Sequence, residues 1–378
     1  MNIAGIIAEY NPLHSGHLYL LQQARKQCDA RYVVCVMSAS FVQRGQPAMH
    51  DKFVRTAAAL AAGADMVLEL PCAYSLQAAP FFARGAVKTL AASGLVTHLV
   101  FGAEQPDELL ICKAEPECFR KRMDAGVSYA RAACADTPAL LQPNSLLGIE
   151  YLRALQEIGS GIKPVAVKRI GAAHGSEQEE SAFFSASAVR RLFASGKRGQ
   201  ALGSLPAESA AALRGAPFCL PESAFVPLLC KLRMQSARQL REFAGMSEGI
   251  EYRVLSAAEQ ARSLEELILG IKSKRYTYAR ISRLLMSVLI GLTAEETELA
   301  NKELPYVRVL GVRRESRELL SMLSARSTVP AITCVQDFLR TAPESLLRRE
   351  LCATDIRAAL CVPPQNACTD KTAGLIIV

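Results

Sequence analysis

Several features are missing from this chain of 378 residues, and each absence narrows what it can be. No uninterrupted apolar run approaches the roughly 20 residues needed to cross a bilayer. No basic segment precedes an apolar stretch at the start, where Glu9, Asn11 and Pro12 break the first hydrophobic run early. The expectation is a soluble, cytoplasmic protein with no membrane partner and no secretory leader. None of the twelve cysteines forms a C-x-x-C pair, which removes the commonest zinc and redox signatures. Several sit in apolar runs, as Cys35 does within 32–37 and Cys72 does beyond Leu70-Pro71. They read as buried thiols in a reducing compartment. Histidine is scarce, at five, and His50, His98 and His174 show no metal-ligand spacing, so no protein metal site is expected. Internal repeats and low-complexity tracts are absent. Charge of one sign is not in large excess either: 44 basic residues face 36 acidic ones, a balance that permits a polyanionic partner without demanding one.

What is present points to a folded chain with at least two domains. Half of the residues are apolar and 21% are charged, as in ordinary globular proteins. In the first half, short apolar runs predict strands at 3–7, 31–37, 66–70, 97–101 and 164–168. Amphipathic runs predict helices at 16–26, 51–62 with Asp51 as N-cap, 79–92, 144–157 and 185–194. Strands alternating with helices imply a parallel sheet with right-handed crossovers. Ligands bind such sheets beyond the carboxyl ends of the strands, so the loops after Ile7, Met37, Leu70, Phe101 and Lys168 are the ones of interest. Turn formers then cluster across 196–217. Runs rich in Leu, Arg, Glu and Ala follow at 227–242, 250–268, 277–291, 294–302 and 315–325. The predicted architecture is α/β, a Rossmann-like parallel sheet over residues 1–200 followed by a mainly α-helical domain over 201–378. The segment after Pro363-Pro364 is either a tail or a final strand.

The sharpest motif is Glu9-Tyr10-Asn11-Pro12-Leu13-His14-Ser15-Gly16-His17, between the first predicted strand and the first predicted helix. By composition, a His-x-Gly-His is expected only about 0.004 times in such a chain. Gly16 lets backbone approach a nucleotide closely. The helix N-terminus offers free N–H groups and a partial positive charge to phosphate. Two imidazoles three positions apart can reach the same phosphate oxygens. Donors aimed at the oxygen bridging to a departing pyrophosphate stabilise the transition state of attack at the α-phosphorus, with no covalent enzyme intermediate.

Residues 4–17 also resemble the N-terminal signature of the bacterial tRNA(Met) cytidine acetate ligase family, within the HxGH nucleotidyltransferase superfamily. Further blocks resemble that family in order: Phe41-Val42-Gln43-Arg44-Gly45-Gln46-Pro47-Ala48, Gly63-Ala64-Asp65-Met66-Val67-Leu68-Glu69-Leu70-Pro71, Phe101-Gly102-Ala103-Glu104, Pro143-Asn144-Ser145-Leu146-Leu147-Gly148, Lys168-Arg169-Ile170-Gly171, Phe184-Ser185-Ala186-Ser187-Ala188-Val189-Arg190, 275–283 and Val307-Arg308-Val309-Leu310-Gly311. Leu13, Ser15, Ala39 and Ser145 depart from the family's usual residues, and none of these changes removes a histidine, the motif glycine or the arginine. The resemblance implies ATP as substrate, with Mg²⁺ on its phosphates, acetate activated as acetyl-adenylate, and acetyl transfer to the wobble cytidine of elongator tRNA(Met). DNA is not an expected partner. By the same resemblance the ATP contacts fall on Ile7, Ala8, Glu9, Tyr10, Asn11, Pro12, Leu13, His14, Ser15, Gly16, His17, Leu18, Tyr19 and Leu20, and on Gly102, Asn144 and Arg169. His14 and His17 are the catalytic pair.

Other residues have two readings each. Gly102 and Asn144 serve a strand-to-helix turn and a helix cap, or the nucleotide. Arg169 is a solvated charge or a bidentate phosphate ligand. Ser185 and Ser187 open a helix that caps itself or holds pyrophosphate. Arg44, Asp51, Lys52 and Arg55 are surface charges or face the site. The acid-free stretch holding Lys272, Lys274, Arg275, Tyr276, Tyr278, Arg280 and Arg283 is a solvated basic face, or a nucleic-acid surface where cations neutralise phosphates and rings stack on bases. Two other functions remain open at this level. A small-molecule nucleotidyltransferase transferring AMP or CMP to a phosphorylated metabolite would leave the basic second half unused. A non-catalytic RNA-binding protein would not need its histidines.

Overall fold

The computed structural model describes residues 1–111, 142–169, 184–247, 249–341 and 345–378. Ten strands are numbered in chain order: β1 Asn2–Ala8, β2 Ala30–Ser38, β3 Phe41–Val42, β4 Gln46–Pro47, β5 Met66–Leu70, β6 His98–Ala103, β7 Lys163–Lys168, β8 Val307–Val312, β9 Ala331–Ile332 and β10 Ile376–Ile377. The main sheet runs β10-β8-β5-β2-β1-β6-β7, with β9 beside β8. From β5 to β7 every pairing is parallel. The chain winds outward from β1 through β2 to β5, then returns to the other side of β1 with β6. The order therefore reverses between β1 and β6, the place where open α/β sheets bind ligands.

The near-continuous apolar character of β1, β2 and β5 follows from burial on both faces. On one face Ile3, Val34, Val36 and Leu68 pack with Val87 and Leu90 of the helix Ala79–Ala92 and Ile149 of the helix Pro143–Ile158. On the other, Ala4, Ile6, Val33, Cys35 and Val67 pack with Leu21 and Ala24 of the helix Ser15–Gln27 and Leu60 of the helix Lys52–Ala61. The expected helices form within two residues of their predicted ends, and Asp51 caps its helix by accepting the Phe53 N–H. The cysteines of the described residues are free thiols. Cys28, Cys35, Cys72, Cys219 and Cys361 are buried as expected, whereas Cys230, Cys334 and Cys368 are exposed. Among the described residues no helix is long and apolar enough to cross a membrane.

Beyond residue 201 helices dominate, yet the chain returns to the sheet. β8 lies antiparallel to β5, and β10, the undecided segment after Pro363-Pro364, pairs parallel with β8. A buried ionic network fastens this return. The Lys52 ammonium meets Glu69 at 2.6 Å and Asp370 at 2.8 Å, and Arg308 meets the same carboxylates at 3.2 and 2.6 Å. Lys52 is thus neither a surface charge nor a nucleotide ligand. Burial works against its charge, but Asp370 and Glu69 outweigh that and raise its pKa. Lys52→Met should destabilise the protein by about 3–5 kcal/mol, because it leaves buried carboxylates short of a cation. Denaturant melts check this, and a loss below about 1 kcal/mol would show that water reaches the network.

Candidate active site

β1 ends at Ala8, and the loop to the first helix is shaped by side chains that turn inward. Tyr10 has a left-handed backbone (φ 45°) and a buried ring. Its hydroxyl lies 3.4 Å from Cys35 Sγ, and its ring stands edge-on to His17 at 5.2 Å. Asn11 is buried and its Oδ1 accepts the Met49 N–H at 2.8 Å. Leu13 is buried, and its carbonyl accepts the Ser209 hydroxyl at 2.8 Å. The Glu9 carboxylate accepts the Gln43 N–H at 2.7 Å. The side chains of Tyr10, Asn11 and Leu13 are buried beneath the loop and help to build it, while Glu9 is half-buried. Leu18, Tyr19 and Leu20 pack on the second core cluster.

Two guanidiniums hold the loop, and a third holds the segment to which Asn11 is bonded. Arg55 is fully buried and donates to the carbonyls of Glu9 (2.7 Å), Ser38 (2.8 Å), His50 (3.0 Å) and Ala39. It thus ties the carboxyl ends of β1 and β2 together. Arg357, from the helix Ser345–Ala359, donates to the carbonyls of Ala48 and Met49 at 3.0 and 2.7 Å. Arg190 donates to the Asn11 carbonyl at 2.6 Å and to Ser187 Oγ at 3.1 Å. Burial lowers the Arg55 and Arg190 pKa values to about 10, so both stay charged at neutral pH. The reading of Arg55 as surface charge is corrected: a guanidinium can be buried when carbonyls take its donors. Arg44 is exposed.

The two histidines cap their own helix. The Gly16 N–H donates to His14 Nδ1 at 3.0 Å, and the His14 N–H donates to His17 Nδ1 at 3.3 Å. The rings stack with centroids 3.8 Å apart. Since each Nδ1 accepts, each neutral ring carries its proton on Nε2. Gly16 is required here for a reason the sequence does not show: a Cβ would stand 2.9 Å from His14 Cε1. Loss of water, then the Arg169 and Arg190 charges, push the His14 pKa down to about 4. Burial, then His14 and Arg169, hold His17 well below its ordinary value. The pair is therefore neutral at pH 7 and presents two N–H donors.

The carboxyl ends of β6 and β7 bring up the rest. A Cβ on Gly102 would meet Arg169 Cγ at 3.2 Å, so the glycine lets that side chain lie across the strand. Asn144 does not cap its helix. Gln142 occupies that position, with Pro143 in the first turn, and Asn144 Nδ2 donates to Glu104 at 2.6 Å. Ser185 is the N-cap of the helix Ala186–Ala194 and accepts the Ala188 N–H at 3.2 Å. Ile170, Gly171 and His174 lie outside the described residues. His50 is buried between Phe193 and Phe218, and no described group of three His, Cys, Asp or Glu side chains is placed to hold a metal.

The basic stretch begins as a loop after the helix Leu264–Ile271 and runs into the helix Tyr278–Ile290, which Thr277 caps and which carries Tyr278, Arg280 and Arg283. Lys272, Lys274 and Arg275 are exposed. Tyr276 is not a stacking surface: its ring is buried, and the Arg280 guanidinium lies 4.8 Å above it. Arg283 is turned inward and donates to the Gln43 carbonyl at 3.3 Å. The exposed ring is Tyr278.

Comparison with known proteins places the chain in a family. The family described as HIGH Nucleotidyl Transferase matches residues 1–372. The chain is 35% identical to a tRNA(Met) cytidine acetate ligase of Acetivibrio thermocellus, over 94% of each chain. It is 37% identical to the protein of that name from Fervidobacterium nodosum, covering 88% of this chain and 84% of the relative. Among solved structures, Thermotoga maritima TmcAL bound with alpha-thio ATP superposes with a TM-score of 0.89 at 30% identity over the whole of both chains.

The histidine environment carries a pH signature. A His14 ring resonance should titrate near pH 4 in the nucleotide-free chain, and a bound triphosphate should raise that midpoint. Stability should fall as pH drops from 6.5 toward 4, because the unfolded ring takes up a proton that the folded ring refuses. A midpoint at 6.5 would show a ring open to water.

Proposed function

This chain belongs to the tRNA(Met) cytidine acetate ligase family of HIGH nucleotidyl transferases, and from that premise we propose how its site performs the reaction. ATP lies at the switch point between β1 and β6, with its phosphates against the first helix N-terminus and the two imidazoles. An acetate oxygen attacks the α-phosphorus and pyrophosphate leaves, giving acetyl-adenylate. The exocyclic amine of the wobble cytidine of elongator tRNA(Met) then attacks the acetyl carbonyl, AMP departs, and the amine loses a proton.

The single observation that carries this reading is the pair of Nδ1 acceptors on His14 and His17. It leaves both Nε2–H donors for charge developing between the α- and β-phosphates. Neutral rings suit this task, since a donor fixed in advance needs no reorganisation as the leaving group takes up charge. Arg169, whose charge is felt by both rings, adds a cation that can pair with phosphate bidentately. Ser187 and the N-terminus of the helix Ala186–Ala194 stand on the loop's other side through Arg190 and receive the pyrophosphate. Mg²⁺ would come with ATP and neutralise phosphate charge; the N–H donors and guanidiniums of this site are not metal ligands, so it would need few ligands from the protein. Residues 1–200 carry the nucleotide chemistry. Within 201–378, Lys272, Lys274, Arg275 and the exposed Tyr278 form the tRNA surface, where cations meet phosphates and a ring meets an unpaired base.

Incubation of the chain with ATP, labelled acetate and elongator tRNA(Met) should place the label on the wobble cytidine and release AMP and pyrophosphate. His14→Ala and His17→Ala should each slow transfer by about 10²–10³-fold with the fold intact. Absence of label from the tRNA, with ATP bound, would contradict the assignment.

A further inference from the structure

One half-buried carboxylate organises the far side of the cleft, and the proposed reaction gives it no task. Glu104 directly follows β6. The Arg169 N–H donates to the Ala103 carbonyl at 3.1 Å, extending the β6–β7 ladder and setting Arg169 beside Glu104. The Glu104 Oε1 atom accepts Asn144 Nδ2 at 2.6 Å and lies 3.9 Å from Arg169 Nε. Its Oε2 accepts both the Ser145 N–H at 2.9 Å and the fully buried Ser145 hydroxyl at 2.8 Å. Burial works to raise this carboxyl, but the Asn144 and Ser145 hydrogen bonds outweigh it and hold it below its ordinary value.

This arrangement has two consequences. The helix Pro143–Ile158 has no side-chain cap of its own at Gln142, and Glu104 supplies one from another strand. A carboxylate already neutralises that helix N-terminus, so the end is closed to phosphate. The second consequence concerns Asn144. With one N–H of its amide held by Glu104, the Asn144 side chain is oriented, and its Oδ1 acceptor is fixed in place for a ligand. An acceptor beside a carboxylate repels phosphate oxygens and suits N–H or O–H donors, which in a nucleotide belong to the nucleoside.

We propose that Glu104 is a positioning residue that holds Asn144 as a hydrogen-bond acceptor for the nucleoside part of ATP, and so divides the cleft into a nucleoside end and a phosphate end. The division rests on the ATP site assigned above. Phosphates belong to His14, His17, the two helix N-termini near them and Arg169, which marks the boundary 3.9 Å from Glu104, and nucleoside donors belong to Asn144. Glu104→Gln keeps the shape but puts an NH₂ group against either the Asn144 NH₂ or the Ser145 N–H, so one of the bonds is lost.

The test is calorimetric binding to the full chain of two probes, an unreactive ATP analogue and inorganic triphosphate, which has no nucleoside. Glu104→Gln should weaken the ATP analogue by about tenfold and leave inorganic triphosphate within twofold of the unsubstituted protein. Asn144→Ala, which leaves the bonds between Glu104 and Ser145 in place, should show the same selective loss and serves as the readout if Glu104→Gln does not fold. The double variant should be no weaker than the worse single one, because both act through one contact. Equal weakening of both probes would mean general loosening of the site and would overturn the proposal, as would unchanged binding of the ATP analogue. Failure of the unsubstituted protein to bind ATP would remove the nucleotide site itself. Binding without acetyl transfer would strike only the reaction and leave the role of Glu104 standing.

Discussion

Two backbone N–H groups donated to imidazole nitrogens decide what this site can do. The Gly16 and His14 amides are orphan donors at a helix N-terminus, and they are satisfied by His14 Nδ1 and His17 Nδ1. The helix cap and the tautomer on which the proposed catalysis rests are therefore one interaction. Capping fixes the rings, the accepted hydrogen bonds place both protons on Nε2, and burial beside Arg169 and Arg190 keeps the rings neutral. Much of the surrounding structure keeps this geometry from moving. Arg55 joins the ends of β1 and β2, Asn11 pins Met49, and Tyr10 buttresses His17 from the core.

The support comes from both halves of the chain. Arg357 and Ser209, far along the sequence, hold the carbonyls of Ala48, Met49 and Leu13. Gln43 takes the Glu9 carboxylate on its backbone N–H and the Arg283 guanidinium on its carbonyl. One residue thus joins the loop after β1 to the helix that follows the basic loop. With β8 and β10 completing the sheet and Lys52 tied to Asp370, the later half of the chain is built into the frame of the nucleotide site.

The parallel strands and the motif helix were legible because both are local in origin. Apolar runs bounded by turn residues mark doubly covered strands, and His-x-Gly-His at a strand end is rare by composition. The capping of the helix Lys52–Ala61 by Asp51 was legible for the same reason. The roles of Lys52, Arg55 and Glu104 were not. Their placement depends on partners distant in sequence, Asp370, Ser38 and Asn144, and Lys52 and Arg55, as charged residues in an amphipathic run, read equally well as surface. Tyr276 looked like a stacking ring because its neighbours are basic, yet it is covered by Arg280 and buried. Ser185 was expected at a helix start and is found as its cap, while Asn144 lies inside its helix, where Glu104, the residue after β6, accepts the Ser145 N–H. β8 gave only a brief apolar signal in a helical region, and its pairing with β5 spans most of the chain.

The claim on which the account turns is the protonation of two ring nitrogens, and nitrogen-15 spectroscopy of the imidazoles of His14 and His17 tests it directly. At pH 7, with and without an ATP analogue, both rings should be neutral in the free chain with the proton on Nε2. Nucleotide should perturb the Nε2 signals while Nδ1 stays an acceptor. A proton on Nδ1 of either ring, or charged rings in the free chain, would contradict it.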